Sequence, residues 1–267
     1  MVASCYNQTP GKPMKRLWTA SFRILAGLAL MAFLPVEETM PEAPSPALGS
    51  VTGTITYDDR VPPPGRGPFR PIDMSSDPAC AAKHSEPVPR GDLVLGDGNT
   101  LANVFVQIKN APRKNYPTPK EAAVIDQNGC IYIPHVLGVM VGQPLQFKNS
   151  DGILHNVHGL PKVNREFNIG MPPTLKETEQ TFNKPEPLFP VKCDVHPWMN
   201  SYVAVMTHPY FAVTGLDGTF HIDDLPDGTY EIEAWHERLG TQTKNITISG
   251  GTASVDFFFE IPERPGR

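Results

Sequence analysis

Two short segments concentrate the side chains that could do chemistry. One runs Asn149-Ser-Asp-Gly-Ile-Leu-His155-Asn156-Val157-His158, and the other Cys193-Asp-Val-His196-Pro-Trp-Met199. Two imidazoles, one thiolate and a weak axial thioether are the ligand set of a mononuclear blue-copper site. Soft sulfur stabilises Cu(I), imidazole suits both oxidation states, and a cage held between the two preferred geometries rearranges little when one electron moves. One tight loop between two strands can offer three of the four ligands, here Cys193, His196 and Met199. His155, about forty residues upstream, is the remote fourth. The plainer alternative is a buried thiol, a surface histidine and a core methionine. A step of two or three residues after His155 puts His158 off the metal. His84, His135, His208, His221 and His236 lack partner spacing and read as surface or hydrogen-bonded residues. Trp198 reads equally as core packing or as an apolar contact beside an exposed edge of His196 through which electrons leave. Asn245-Ile-Thr247 matches a glycosylation sequon without further support.

The spacing C-x2-H-x2-M resembles the ligand loop of the cupredoxin family, and its compactness is closest to the amicyanin branch. The upstream His155-Asn156-Val157 fits the same resemblance. The resemblance implies an antiparallel Greek-key β-sandwich holding one mononuclear type 1 copper in electron transfer. It also implies that Asn156 helps tie the two ligand loops together. Pro197 has no amide hydrogen and cannot donate to the Cys193 sulfur. Pro197→Ala should therefore add a donor near the thiolate and raise the reduction potential; a lower or unchanged potential in voltammetry counts against this placement. One departure is the approach to Cys193, Pro187-Leu-Phe-Pro190-Val-Lys192, where family members usually have a tyrosine-containing strand. Its prolines suggest an edge strand or a bent entry. A second departure is the long insertion at 61–99.

The elements that must position these residues read as all-β. Thirty prolines in 267 residues, about 11 % against a usual 5 % or so, leave little room for long helices. Val51–Tyr57, Ala102–Ile108, Cys130–Ile133 and Pro144–Lys148 carry strand signals. From 208 the texture changes to compact hairpins, with turns at Asp217-Gly218 and Leu225-Pro226-Asp227-Gly228. About five strands in some fifty residues there indicate a small second sandwich. That region, GLDGTFHIDDLPDGTYEIEAWHE, resembles the carboxypeptidase-regulatory-like (transthyretin-like) module, whose motif is structural and implies no catalysis. The expected order is a segment at 1–34, a linker at 35–48, a cupredoxin-like domain at 49–207 with its Pro-rich insertion, and the second sandwich at 208–262.

Residues 1–34 carry Lys12, Lys15, Arg16 and Arg23 and no acid, and the uncharged run Ile24–Leu34 follows. The run has the length of a signal-peptide core and falls short of a bilayer span. Met14 could be the start. Without a clean cleavage site after Leu34, the segment is read as a removed signal or as an uncleaved anchor associating the protein with the membrane. Either reading places the body in the periplasm or outside the cell. Loss of the segment takes the net charge from −5 to about −9, because four cations leave. With Cys5 gone, Cys80, Cys130 and Cys193 remain, an odd count in an oxidising compartment. The natural division is a Cys80–Cys130 disulfide with Cys193 free for chemistry; three unrelated buried thiols are the alternative.

No basic footprint supports nucleic-acid binding. Multicopper oxidases need several H-x-H pairs, a binuclear copper site needs two loop cysteines, and neither pattern occurs. Nor does G-x-S-x-G, H-E-x-x-H or a phosphate loop. The expectation is thus an electron carrier and not an enzyme, exchanging electrons with a redox partner such as a cytochrome or an oxidase. The acidic charge favours a basic partner. Two rivals remain: a copper-trafficking or sensing module that does not cycle, and a structural envelope protein with a vestigial site.

Overall fold

Strands dominate the computed structural model, which describes residues 47–58 and 70–260. The expected signal segment, nearly all of the linker and the proline run at 62–64 lie outside the described residues. In chain order the strands begin with β1 (Leu48–Tyr57), β2 (Phe105–Ile108), β3 (Ala123–Gln127), β4 (Tyr132–Ile133), β5 (Val136–Met140) and β6 (Pro144–Asn149). Next come β7 (His155–Gly159), β8 (Phe167–Met171), β9 (Glu177–Thr181), β10 (Glu186–Lys192) and β11 (Asn200–Met206). The last are β12 (Phe211–Val213), β13 (Thr219–Pro226), β14 (Gly228–His236), β15 (Gly240–Ile248), β16 (Thr252–Ser254) and β17 (Phe257–Phe259). One short helix, α1 (Pro78–Ala81), lies in the insertion.

The strands build two sandwiches. In the first, the sheet β4-β3-β6-β9 packs on the sheet β5-β11-β10-β7-β8. Ile125, Leu145 and Phe147 from one sheet meet Val139, Val157, Val191 and Val203 from the other, all buried. Each such side chain contributes about 1.5–3 kcal/mol on burial. In the second, the sheet β13-β1-β16, with β17 also on β1, packs on β12-β2-β14-β15. Alternation places Tyr230, Ile232 and Ala234 inward from β14 while Glu231 stays exposed, the period of a strand with one wet face.

This pairing corrects the expected division at 208. By that division the strands expected at 51–57 and 102–108 belong to the first, cupredoxin-like sandwich. Instead β1 pairs with β13, Val51 opposite Ile222, and β2 lies between β12 and β14. The second sandwich thus draws strands from both sides of the first in sequence. Phe105 stacks on Phe211 at 5.7 Å where the sandwiches join, beside Val136, Ala204 and Met206. Gly138 permits this approach: a Cβ there would come within 2.5 Å of the Phe211 ring.

Of the two readings of the Pro187–Lys192 strand, an edge position or a bent entry, the edge position is corrected. β10 lies between β11 and β7, and only Val191 and Lys192 pair with β7. Both prolines precede that short ladder, so their missing amide hydrogens are tolerated. The bend expected from them is present as a register shift between Glu186 and Phe189.

Candidate metal centre

β6 ends at Asn149, whose side-chain amide donates to the carbonyls of Ile153 and Met171 at 2.8 and 3.0 Å. That holds the 150–154 turn and starts β7 on His155. On the neighbouring strand, β10 ends at Lys192 and β11 begins at Asn200, leaving 193–199 as a loop. The Cys193 amide donates to the Met199 carbonyl at 3.1 Å, and the Met199 amide to the His196 carbonyl at 2.9 Å. The loop is therefore closed on itself, with Cys193, His196 and Met199 at fixed positions.

These elements bring His155, Cys193 and His196 together, with one donor atom of each within 4.8 Å of the others. The two Nδ1 atoms are 2.9 Å apart, and the Cys193 sulfur is 3.8 Å from His196 Nδ1. Relative exposure is 0 % for His155, 1 % for Cys193, 2 % for His196 and 1 % for Met199. Met199 is in the same buried cluster as Cys193 and Met171.

Each imidazole meets a carboxylate on its outer side. His155 Nε2 is 3.0 Å from Asp151 Oδ2, and His196 Nε2 is 2.9 Å from Asp77 Oδ2. An Nε2–H donated to a carboxylate leaves Nδ1 as a bare acceptor. Two such lone pairs at 2.9 Å repel unless a cation sits against them. A proton or a metal ion can meet this need. Burial pushes the His155 pKa down, but its bonds to Asp151 and Cys193 outweigh that and raise it to about 9. The Cys193 thiol is lowered: burial opposes this, while hydrogen bonds from His155 and from amides nearby favour the thiolate. Nitrogens 2.9 Å apart can both lie about 2.0 Å from one ion, with a sulfur about 2.3 Å from it, as in zinc sites. The donor set fits a soft divalent or monovalent metal.

Asp151 is the hub on one side. The amides of Gly129 and Cys130 donate to its two oxygens at 2.7 and 2.8 Å, and Lys83 pairs with it at 3.1 Å. Left-handed φ values of 69° at Gly129 and 53° at Cys130 aim these successive amides at one anion. Burial would raise its pKa, but the His155, amide and lysine bonds bring it down to about 2. On the other side Asp77 caps α1, its Oδ1 accepting from the Ala79 and Cys80 amides at 2.9 and 3.2 Å. The hydrogen bond from His196 is the main reason its pKa is lowered. Cys80 is disulfide-bonded to Cys130 and Cys193 is a free buried thiol.

Asn156 joins the two ligand segments. Its carbonyl oxygen accepts from the Asp194 amide at 2.7 Å and from the Cys193 thiol at 3.3 Å. Tyr132 adds a second tie, its hydroxyl donating to the Asn156 and Lys192 carbonyls at 2.6 and 3.2 Å. His158 faces away from the pocket, between Asp194 and Glu166 at 2.9 and 3.0 Å. Pro197 is exposed and lines a hollow with Asp73, Arg90 and Trp198. Of the two readings of Trp198, the one with an open edge of His196 is corrected: the insertion covers that edge. Trp198 lies against the His196 ring at 5.0 Å between centroids and donates to the Cys130 carbonyl at 3.0 Å. The other histidines are surface or hydrogen-bonded: His84 to the Gly129 carbonyl, His135 to Glu237, His221 to Asp223, and His208 and His236 through Nδ1 to amides.

Sequence reasoning missed Asp151, Asp77 and Tyr132. The signal for Asp151 was its place four residues before His155; for Asp77 it was only an Asp-Pro-Ala-Cys start to a helix.

No protein-family model and no curated protein matches the chain. Several solved structures resemble part of it. A Cu-containing nitrite reductase from Thermus scotoductus SA-01 is 20 % identical over 38 % of this chain and 25 % of its own, with a TM-score of 0.30. A methionine-to-alanine mutant of amicyanin with Cu(I) is 24 % identical, covering 38 % of this chain and 98 % of that one, with a TM-score of 0.29. A purple cupredoxin from Nitrosopumilus maritimus is 24 % identical over 32 % of this chain and 99 % of its own, with a TM-score of 0.27. The chain spans about a quarter of the nitrite reductase and nearly all of the amicyanin and the purple cupredoxin. Similarity of this extent assigns no function, which is left to the donors themselves.

Proposed function

We propose that this protein holds one mononuclear type 1 copper, for which His155, Cys193, His196 and Met199 would be the ligands, and carries single electrons. The observation that supports it is the pair of inward Nδ1 atoms 2.9 Å apart beside a buried thiol, each imidazole backed by a carboxylate. Copper bound there would supply one-electron Cu(II)/Cu(I) chemistry. The chain's own residues do the rest. Asp151 and Asp77 hold the Nε2 protons outward, so both Nδ1 atoms face in. Asn156 and Tyr132 bind the ligand loop to β7 and resist its movement. The apolar cluster around Cys193 keeps water from the sulfur.

The protein is proposed to act outside the cytoplasm, in the periplasm or beyond. The Cys80–Cys130 disulfide supports an oxidising compartment. Its redox partner is another protein, and the second sandwich, which includes β1 and β2 as well as the strands after 208, serves as a structural module. Titrating copper into the purified protein tests the site. One equivalent should produce an intense thiolate-to-copper absorption that Cys193→Ser abolishes; a colourless wild type would overturn the reading. A second reading, a copper-holding protein that does not cycle, is favoured by the burial of His196. Reversible one-electron voltammetry supports the carrier, and loss of metal on reduction supports the holder.

A further inference from the structure

The insertion does more than lengthen the chain. Asp77 Oδ2 is 2.9 Å from His196 Nε2, and Cys80 Sγ is 3.6 Å from the same nitrogen. The two oxygens of Asp77 have separate tasks: Oδ1 caps α1, which leaves Oδ2 aimed at the imidazole. A four-residue helix has no stability of its own, so α1 must be held from outside. Its anchors all lie on the turn and loop that serve the other imidazole. Cys80 is bonded to Cys130, Lys83 pairs with Asp151, and His84 bonds the Gly129 carbonyl at 2.7 Å. The disulfide thus links the segment carrying Asp77 to the turn whose amides hold Asp151.

We propose that Asp77 is a positioning residue for His196, delivered by the disulfide-bonded cap at 70–90, and that its charge biases the pocket toward the more highly charged state of a bound metal. The proposal rests on the metal-site reading above. A carboxylate on the outer nitrogen fixes the ring with Nδ1 inward and makes it a stronger donor. Its negative charge, one ring-width from the ion, favours a dication over a monocation. The cap covers the His196 ring, which is 2 % exposed, while 29 % of the Asp77 side chain stays open to water, so part of its charge is screened.

The test uses the whole protein loaded with copper. Asp77→Asn keeps a good helix cap and removes the charge. It should raise the preference for Cu(I) over Cu(II) about tenfold, a rise of about 59 mV in reduction potential. The double variant Cys80→Ala/Cys130→Ala should shift the potential the same way. Copper-free, that variant should also label at Cys193 with a thiol reagent at least tenfold faster than wild type (on the order of 1.4 kcal/mol less protection), the site mapped by peptide mass. If the double variant does not fold, Asp77→Asn decides alone. A wild type that binds copper while Asp77→Asn moves its preference less than about twofold overturns the inference and leaves the metal site standing. Unchanged labelling of a folded double variant overturns the role given to the cap. A wild type that binds no copper overturns the metal-site reading, and the inference with it.

Discussion

Both sandwiches bury an imidazole, and they treat it in opposite ways. In the first, His155 meets the carboxylate of Asp151, and its pKa is raised to about 9. In the second, His236 is buried beside Phe259, its Nδ1 accepts from the Arg238 amide at 3.2 Å, and its Nε2 has no partner among the described residues. Burial, only partly offset by the charge of Glu237, lowers its pKa to about 4. Burial alone pushes an imidazole to be a neutral core residue; an anion on the outer nitrogen makes it a basic donor aimed at a cation. His196 is intermediate in construction, with a carboxylate brought from 119 residues away.

The comparison breaks most visibly at Asp151. Asp151→Ala removes a buried anion that serves His155, two amides and Lys83, and should cost about 3–5 kcal/mol in chemical denaturation of the copper-free protein. It should also change the alkaline limb. The folded pKa of His155 exceeds its unfolded value, so its contribution is complete below about pH 6.5 and is lost as pH rises through about 9. Without Asp151 that loss should shrink, since only Cys193 is left to raise the pKa against burial; a variant keeping both stability and limb would show that the carboxylate is not the hub.

His236 gives the opposite limb. Its folded pKa is depressed, so the unfolded chain takes a proton first as pH falls below about 6.5. Stability should then drop until about pH 4, by at most about 3 kcal/mol. His236→Leu should flatten that interval in a pH series of denaturation midpoints. An unchanged acid limb would mean that the buried ring carries no such linkage.

The same contrast explains what could be read in the sequence. Hairpins after 208 were legible because β14 alternates between an apolar core and water. The cluster of His155, Cys193 and His196 was foreseeable by residue type and spacing, and the fold brings the three together. β7 was not read as a strand, because three successive residues, His155, Asn156 and Val157, are buried and give no alternation. β5, β8, β9 and β11 escaped for related reasons: β11 has an unbroken buried run, and β9, Glu-Thr-Glu-Gln-Thr, is a polar edge strand. The pairing of β1 with β13 joins residues some 170 apart, and no local pattern announces it. Asp77 is hidden for the same reason. One of the two readings of Trp198 left a His196 edge open, but covering it depends on a disulfide that folds a distant proline-rich segment onto the pocket.

The smallest effect separates the two carboxylates. Asp151 is enclosed, while Asp77 keeps 29 % of its side chain exposed. Asp77→Ala loses a helix cap, worth about 1 kcal/mol, and a partly solvated ion pair that adds little. Asp77→Asn retains the cap and should stay within about 0.5 kcal/mol of wild type. The measurement is the denaturation midpoint of the copper-free protein for both variants beside Asp151→Ala. A loss at Asp77 as large as that at Asp151 would make the cap part of the folding core. A loss of about 1 kcal/mol would make it an attachment to a sandwich already stable without it, leaving the charge of Asp77 free to act on His196 alone.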